Sequence, residues 1–344
     1  MKLIIFVVVM IFLFAGVMLF FYPFTPVKEE PIQFRVTYGE TPLQIAENLQ
    51  EKNIISDASL FVFLARLTQR HNQLKAGQYL LPQKSSIYHV LDKLSKGKQS
   101  FIKVTVQEGI TSRQIAALME KKVKADSSRF VMLTSDSLFA AGLNIGHSTL
   151  EGFLFPETYH FTFGITEEQI IQSMVKLFQR VFDDSLVHKK ARDLGYSFYE
   201  TLILASIIQG EAVLDSEMVY ISSVYHNRLE RGIPLQADPT IQYIISDGPR
   251  RLLNRDLEID SPYNTYLYAG LPPAPINNPG EVAIRAALNP ASTYYLYFVA
   301  DGRGGHVFST NLRDHLNAKR KFDKIRARVA RQKREEALGN NNEQ

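Results

Sequence analysis

The stretch FYETLILASIIQGEAV, residues 198–213, decides how the larger part of this chain folds. Its apolar side chains recur at helical spacing, so the sequence predicts a helix here. The positions three, four and seven places before Glu211 hold Ile208, Ile207 and Leu204, so the carboxyl shares a helix face with aliphatic side chains. Burial among them would raise the pKa of the carboxyl, as a general acid working near neutrality requires. The alternative is a glutamate at the helix end that simply reaches solvent.

Several helix starts carry a capping box, in which a Ser or Thr cap is followed three places later by Glu or Gln. The predicted caps are Thr41, Thr166 and Ser197. The first of them stands in a repeated octapeptide, because GETPLQIA at residues 39–46 recurs as GITSRQIA at residues 109–116, each time after a strand-like run. One duplication does not make a solenoid, since a repeat stack needs at least about three units.

The remaining patterns predict a mixture of strands, helices and one long loop. Residues 33–82 have a β-α-α-β outline, and the chain becomes richer in helices beyond residue 127. Residues 233–290 are loaded with Pro, Asn, Asp and Gly and are predicted to be mostly loop. Long ordered loops in compact domains are usually functional. Residues 294–309 predict a β-hairpin.

The N-terminus predicts a membrane anchor. Residues 3–22 are twenty uncharged, largely apolar residues, which as a helix of about 30 Å span one hydrocarbon thickness. The alternative is a cleaved signal peptide, but its apolar region would be shorter, and residues 21–26 offer no small-x-small cleavage site. Flanking positive charges do not fix the orientation. The single anchor, the large C-terminal body and the absence of cysteine favour an extracytoplasmic body.

Composition and charge exclude several function classes. The chain has no cysteine, which rules out thiol catalysis, Cys-ligated zinc, iron–sulfur clusters and disulfides. Its eight histidines form no close pair, so we expect neither a metal nor a cofactor. Nine basic residues stand against one acidic residue between Lys319 and Arg334, while the rest of the chain is mildly acidic. A nucleic-acid-binding domain would carry its positive charge on the fold itself, so we expect no nucleic acid partner. The basic tail is either a solvated helix end or a contact to anionic lipid or wall polymers.

The run ILASIIQGEA, residues 203–212, resembles the catalytic helix of the YceG-like endolytic murein transglycosylases, in which a similar run precedes Glu-Lys-Glu. Other runs that resemble the family follow in the expected order: EGFLFPETY (151–159), NRL (227–229), LQADPT (235–240), SPYNTY (261–266), GLPP (270–273), I-x-NPG (276–280) and YLYFVADG (295–302). The resemblance identifies Glu211 as the catalytic acid. Gln209 and Gly210 depart from the family pattern, which has Glu and Lys there.

This resemblance implies an enzyme that cleaves the β-1,4 bond from N-acetylmuramic acid to N-acetylglucosamine in peptidoglycan strands without water, terminating the elongation of nascent strands. Glu211 would protonate the leaving O4 and then act as the base while the muramic C6 hydroxyl closes a 1,6-anhydro ring. An ordinary glycosidase instead needs two carboxylates. Candidates for a second carboxylate are Glu157, Asp238, Asp256 and Asp260.

Polar and aromatic residues of the long loop have the character of a sugar site, where amides meet hydroxyl and acetamido groups and aromatic faces stack on pyranose rings. The chain has no Trp, so tyrosine would supply most such surfaces. The predicted substrate-binding residues are Gln236, Asp238, Tyr263, Asn264, Tyr266 and Glu157. Asp238 can equally form a turn or cap a helix, and the others can fill the loop core and hydrogen-bond its backbone.

The β-α-α-β unit resembles a LysM-type domain in Gly39-Glu40-Thr41, Ile45-Ala46 and Gly77-Gln78. That resemblance implies binding to N-acetylglucosamine-containing glycans such as peptidoglycan. The alternative is that these residues only cap a helix and form a turn.

Together these patterns predict an α+β protein in five segments: a transmembrane anchor at residues 1–22, a linker at 23–31, a LysM-like subdomain at 32–100, a catalytic domain at 101–318 and a basic tail at 319–344. We expect a single-pass protein of the bacterial inner membrane with a periplasmic catalytic domain. Its expected partners are peptidoglycan strands, the membrane and peptidoglycan synthases. The rival functions are an inactive wall-binding scaffold and a two-carboxylate muramidase.

Overall fold

The computed structural model describes residues 10, 31–37, 39–97, 101–162, 164–182, 184–245, 248 and 250–341. Within these ranges no helix is both long and apolar enough to cross a membrane. The predicted anchor at 1–22 lies outside the described residues except for Met10, and the linker at 23–31 lies outside them except for Pro31. Both stay predictions.

The chain divides into two compact units. The first contains the residues up to Val104 together with Tyr159–Ile165, and the second contains Thr105–Thr158 and the residues from Thr166 onward. Helices occur together with small two-stranded sheets, so the chain has the mixed α+β class that the sequence predicts.

The first unit follows the predicted β-α-α-β order. Its elements are β1 (Ile32–Val36), α1 (Pro42–Glu51), α2 (Ala58–Leu67) and β2 (Gly77–Leu81). The two strands pair antiparallel, with Ile32 opposite Leu81. A further helix, α3 (Ile87–Lys96), was not predicted, and it contributes Val90 and Leu91 to the buried core of this unit. A second sheet pairs β3 (Phe101–Thr105) with β4 (Thr158–Thr162), and most of both strands belongs to this unit.

The second unit is mainly helical. Its helices are α4 (Ser112–Val123), α5 (Ser127–Thr134), α6 (Ser137–Gly142), α7 (Glu167–Phe182), α8 (Ser185–Asp193), α9 (Phe198–Glu211), α10 (Met218–Glu230), α11 (Asp238–Ile244), α12 (Glu281–Leu288) and α13 (Leu312–Asn341). Short 3-10 turns stand at Asp215–Glu217 and Asn254–Glu258. The predicted hairpin is confirmed, because β5 (Tyr297–Ala300) pairs antiparallel with β6 (His306–Ser309).

Helix α9 is the central helix of this unit. Eight consecutive residues from Thr201 to Ile208 are buried, and the helix packs against α10, α11 and α12. A helix that is apolar all round is a core helix. The aliphatic residues that the sequence places on the face of Glu211 are therefore buried as predicted, and neighbouring helices also cover the other positions from Thr201 to Ile208.

The predicted helix caps are confirmed. Thr41 and Ser197 each accept from the backbone three places on, and the Gln or Glu there returns a bond to the cap backbone. Thr166 and Gln169 exchange the same two bonds. Caps of this kind satisfy the first N–H groups of a helix, which have no partner inside it.

The predicted long loop is more ordered than expected, and the basic tail is helical. Residues 233–290 contain two helices, α11 and α12, that were not predicted. Helix α13 runs without a break through the boundary predicted between residues 318 and 319, and it packs on β5 and β6.

Candidate active site

Glu211 is the last residue of α9, where the buried helix reaches the surface of the second unit. Its carboxyl is partly exposed and is held by two donors. The Tyr225 hydroxyl of α10 donates to Oε1 at 3.0 Å, and the backbone N–H of Asp238, the first residue of α11, also donates to the carboxylate. Three helices therefore fix one acid group.

The surroundings of Glu211 raise its pKa to about 7. Burial is the largest cause, and the negative charge of Asp238 adds to it. The hydrogen bond from Tyr225 opposes the shift, because it stabilises the charged form. A large fraction of the carboxyl thus carries a proton near neutrality, which agrees with the desolvation predicted from the sequence.

Glu211 and Asp238 together line two cavities of the second unit. We call the first, of about 380 Å³, the amide cavity; Thr111, Gln114, Tyr243 and Asn277 also line it. The second, of about 430 Å³, is the basic cavity; its other residues include Arg228, Gln236, Tyr266, His306, His315 and Lys319. The acid therefore stands where two binding spaces meet.

Asn277 gives the amide cavity a polar atom without a partner. The residue is only 5% exposed, and its Nδ2 donates to the carbonyl of Ser206 at 2.8 Å. Its Oδ1 is buried and has no hydrogen-bond partner among the described residues. A buried carbonyl oxygen left in this way is costly unless a ligand donates to it. Sequence reasoning missed Asn277, although it lies inside the run at 276–280.

Gly210 explains a departure from the family pattern. A Cβ at this position would lie 2.6 Å from Cβ of Pro239 and 2.9 Å from its Cγ. Real Cβ atoms do not approach that closely, so the absence of a side chain lets α11 pack against the end of α9. The contact places the Asp238 backbone N–H on Glu211.

Gln209 also has a defined place. Its Oε1 accepts from the backbone of Gly280 at 2.9 Å, and its side chain hydrogen-bonds to Glu108. Burial and the charge of Asp215 raise the pKa of Glu108, while the bond from Gln209 lowers it.

The six predicted substrate-binding residues differ in position: three line the basic cavity, one packs beside Tyr243, and two lie apart from both cavities. Gln236, Asp238 and Tyr266 line the basic cavity, and the Tyr266 hydroxyl donates to the Asp238 carboxylate. Tyr263 is half-buried beside Tyr243, with ring centroids 5.1 Å apart.

The other two predicted residues stand apart from the cavities. Asn264 is fully buried; its Nδ2 donates to two backbone carbonyls, and its Oδ1 accepts from Tyr266 N. Glu157 is exposed just before β4 and lines neither cavity.

Only one candidate for a second carboxylate lies beside Glu211. Asp256 is buried and forms a bidentate ion pair with Arg250. This ion pair and a hydrogen bond from the backbone N–H of Leu253 lower the pKa of Asp256 to about 2. Asp260 accepts from the exposed Tyr268 hydroxyl. Asp238 alone lines the cavities, and no group of three His, Asp or Glu in the described ranges could hold a metal ion.

Comparison with known proteins identifies relatives along most of the chain. The chain is 33% identical over 308 residues to the endolytic murein transglycosylase of Bacillus subtilis (strain 168), covering 85% of this chain and 84% of that protein. It is 28% identical over 320 residues to the endolytic murein transglycosylase of Streptococcus pneumoniae (strain R6), covering 82% of this chain and 58% of that protein.

A solved structure is also similar. The crystal structure of a putative YceG-like protein from Listeria monocytogenes superposes with a TM-score of 0.59 at 31% identity, covering 84% of this chain and 98% of that one. The model of the YceG-like family matches residues 34–321. The chain belongs to the YceG-like family.

Proposed function

We propose that this chain is a peptidoglycan lytic transglycosylase that cuts within glycan strands, with Glu211 as its acid. The observation that carries the proposal is a single carboxyl with a pKa of about 7 at the junction of two cavities. The relatives named endolytic murein transglycosylases support the same reaction.

The reaction begins with a proton transfer from Glu211 to the oxygen that links the muramyl and glucosaminyl sugars. The bond breaks through an oxocarbenium-like state, and the neighbouring Asp238 carboxylate can stabilise its positive charge. The ionised Glu211 then takes the proton of the muramyl C6 hydroxyl while that oxygen closes the 1,6-anhydro ring. Tyr225 favours the first stage, because its hydroxyl donates to the carboxylate that remains after Glu211 releases its proton.

The two cavities support internal cleavage. A strand cut in its middle must extend from the acid in both directions, and Glu211 lines both cavities. In the amide cavity, the free Oδ1 of Asn277 can accept from an acetamido N–H or a sugar hydroxyl. In the basic cavity, Gln236 and Tyr266 supply polar groups, while Asn264 orders the loop behind them.

The finer parts of the function rest on the sequence. The apolar run at residues 3–22 supports a single-pass anchor in the bacterial inner membrane with the enzyme on its periplasmic side, close to peptidoglycan synthases. In that position the enzyme would meet nascent strands and terminate their elongation. The LysM-like unit at residues 32–100 would add a glycan contact, and Glu157 would play at most a peripheral part.

The decisive experiment replaces Glu211 with Gln and follows the products. Loss of a general acid costs about 10² to 10⁴ in rate, so cleavage of purified strands should nearly vanish while folding persists. Glu230→Gln, at an exposed carboxyl at the end of α10, is the matched control and should stay active. Wild-type products should carry 1,6-anhydromuramic ends without ¹⁸O when digestion runs in ¹⁸O-water.

Two other outcomes would contradict the proposal. Reducing ends labelled with ¹⁸O would reveal a hydrolase and make Asp238 its second carboxylate. No cleavage of nascent or mature strands by the wild type would indicate a scaffold.

The activity should also depend on pH in a defined direction. The acid must start protonated, so kcat/KM should fall as the pH rises through about 7. Tyr225→Phe removes the donor to the charged form, so this alkaline limb should move to higher pH. Asp238→Asn removes the repelling charge and should move it to lower pH. Shifts of the same sign in both variants would contradict the assignment of the limb to Glu211.

A further inference from the structure

The basic cavity contains a buried cation without an anionic partner. Arg228 of α10 is only 8% exposed, and its Nε and Nη1 donate to backbone carbonyls, including those of Leu296 at 2.7 Å and Leu235 at 2.8 Å. Its guanidinium lies over the Tyr297 ring, 5.2 Å from the centroid. No described carboxylate forms a salt bridge with it. Burying a charge without an opposite charge is costly.

Two more basic side chains reach the same cavity from α13. His315 stacks on the Tyr297 ring with centroids 5.2 Å apart, and its buried Nδ1 has no hydrogen-bond partner in the described part of the chain. Lys319 stands one helical turn further on, is exposed, and pairs with no described carboxylate. Burial lowers the pKa of His315, and the positive charges of Lys319 and Arg228 lower it further. The three groups are therefore close enough to repel one another.

No acidic group nearby forms a salt bridge with Arg228 or Lys319 in the described residues. Glu211 carries a proton for a large fraction of the time near neutrality, and the Asp238 carboxylate, which also lines the cavity, is held by the Tyr266 hydroxyl. The Glu217 carboxylate is hydrogen-bonded to His306: the His306 backbone N–H lies 2.9 Å from one carboxylate oxygen, and its ring Nδ1 lies 2.7 Å from the other. The cavity thus holds two cations without a salt-bridge partner among the described residues, Arg228 and Lys319, beside the unpaired Nδ1 of His315, and a ligand carboxylate would supply the counter-charge.

We infer that Arg228, His315 and Lys319 bind a carboxylate of the glycan strand, so that the basic cavity holds the muramyl side of the cleaved bond. This inference rests on the proposed function. Of the two sugars in the strand, only the muramyl sugar carries a lactyl group, whose carboxyl is free or extended by a peptide that has carboxylates of its own. The glucosaminyl sugar is neutral and fits the amide cavity, where the lining groups are amides, hydroxyls and the free Asn277 Oδ1.

The test measures binding without cleavage, in the full chain carrying Glu211→Gln. End-labelled strands are used in three forms: without peptides, with peptides, and with peptides whose carboxyls have been converted to amides. Fluorescence anisotropy gives Kd for each form. The parent should bind native peptide-bearing strands about 3- to 10-fold more tightly than amidated ones at low salt, with a smaller preference at high salt.

Lys319→Gln removes one cation at an exposed position, so the packing should survive, and the preference for native over amidated strands should fall towards one. The matched control is Lys324→Gln, on the exposed part of the same helix and outside the cavity, and it should keep the preference. If strands without peptides retain the Lys319-dependent affinity, the bound group is the lactyl carboxylate. If only peptide-bearing strands show it, the carboxylate belongs to the peptide.

Two results would overturn the inference: binding that does not depend on Lys319 in either the peptide-free or the native peptide-bearing strands, or an equal loss of affinity in the Lys319 and Lys324 variants. Cleavage by the wild-type chain is scored separately on the same strands. A Lys319-dependent preference without cleavage would leave the carboxylate site standing and remove the proposed reaction, whereas cleavage without the preference would do the reverse.

Discussion

The octapeptide occurs twice, as GETPLQIA at residues 39–46 and as GITSRQIA at 109–116. The two copies have the same local structure but different tertiary contacts. Both begin with a glycine of positive φ, 90° at Gly39 and 76° at Gly109, and both enter a helix through a reciprocal capping box. A Cβ on Gly39 would meet nothing within 4 Å, whereas one on Gly109 would lie 3.1 Å from Cγ of Gln209 on α9.

Backbone hydrogen bonds also connect the second copy to its unit. Gly109 N donates to the Asn278 carbonyl at 2.8 Å, and Asn278 N returns a bond to Ile110 at 3.1 Å. Thr111 and Gln114 then line the amide cavity beside Glu211. Local sequence therefore determines the turn and the cap, while the tertiary environment determines whether they belong to a site.

The largest loss of stability should come from removing the hydrogen bonds of the Asn278 side chain. Its side chain bonds the Glu151 carboxyl and Ile110 O, and it accepts from the backbone of Gly152 and Leu154. Asn278→Ala would leave the buried N–H groups of Gly152 and Leu154 unpaired and remove the bond to the buried Glu151 carboxyl, and it should lower the free energy of unfolding by about 3–5 kcal/mol in urea titration. Asn289→Ala, at an exposed site, should change it by at most about 0.5 kcal/mol. Similar losses in both variants would contradict this view.

Gly39→Ala and Gly109→Ala should both lower stability through backbone strain, but only Gly109→Ala should lower activity. Ala at either position adopts an unfavourable φ, which costs about 1–2 kcal/mol in each copy. Only Gly109→Ala also pushes on Gln209 and the helix of Glu211, so kcat/KM should fall about tenfold there and stay near wild type for Gly39→Ala. Equal activity of the two variants would show that the second copy does not position the acid.

Removing the helix caps Thr41 and Thr111 should have smaller effects on stability and activity. Thr41→Ala and Thr111→Ala should each cost about 1 kcal/mol in thermal or urea unfolding, because each helix loses the same capping bond. KM for glycan strands should rise only for Thr111→Ala, since Thr111 lines the amide cavity. A rise of KM in Thr41→Ala alone would reverse the roles of the two units.

The smallest effect should come from Gln209→Glu, which restores the residue type that the family pattern has here. The new carboxylate would face Glu108 and raise its pKa further. A carboxyl with a raised pKa in the folded state destabilises the fold once it ionises. The variant should therefore match wild type at pH 4 and lose about 0.5–1 kcal/mol by pH 7, as measured by urea unfolding. A loss that is independent of pH would point to packing instead of charge.

The features predicted from the sequence were those set by neighbouring residues. Thr41, Thr166 and Ser197 cap helices because their partners lie three places away, and Glu211 follows a run of apolar residues that had to be buried. The β-α-α-β outline predicted for residues 33–82 likewise matches β1, α1, α2 and β2.

Features that depend on distant contacts were missed. Nothing near Lys319 in the sequence shows that α13 brings it to the cavity that Glu211 lines, so the sequence left open whether the tail is a solvated helix end or a contact to lipid or wall polymers. Asn277 is left with a free oxygen only because its other amide atom bonds Ser206, 71 positions away. Helix α11 was hidden by the surrounding Pro, Asp and Gly residues, which are typical of loops.

The contact between Gly210 and Pro239 constrains how this site can change over evolutionary time. A chain that acquired a side chain at 210 would pass through an intermediate in which that Cβ lies 2.6 Å from the proline ring. A side chain at 210 therefore requires the end of α9 and the start of α11 to lie further apart. The residue at 210 and the spacing of the two helices are coupled, so that a change in one is tolerated only with a change in the other.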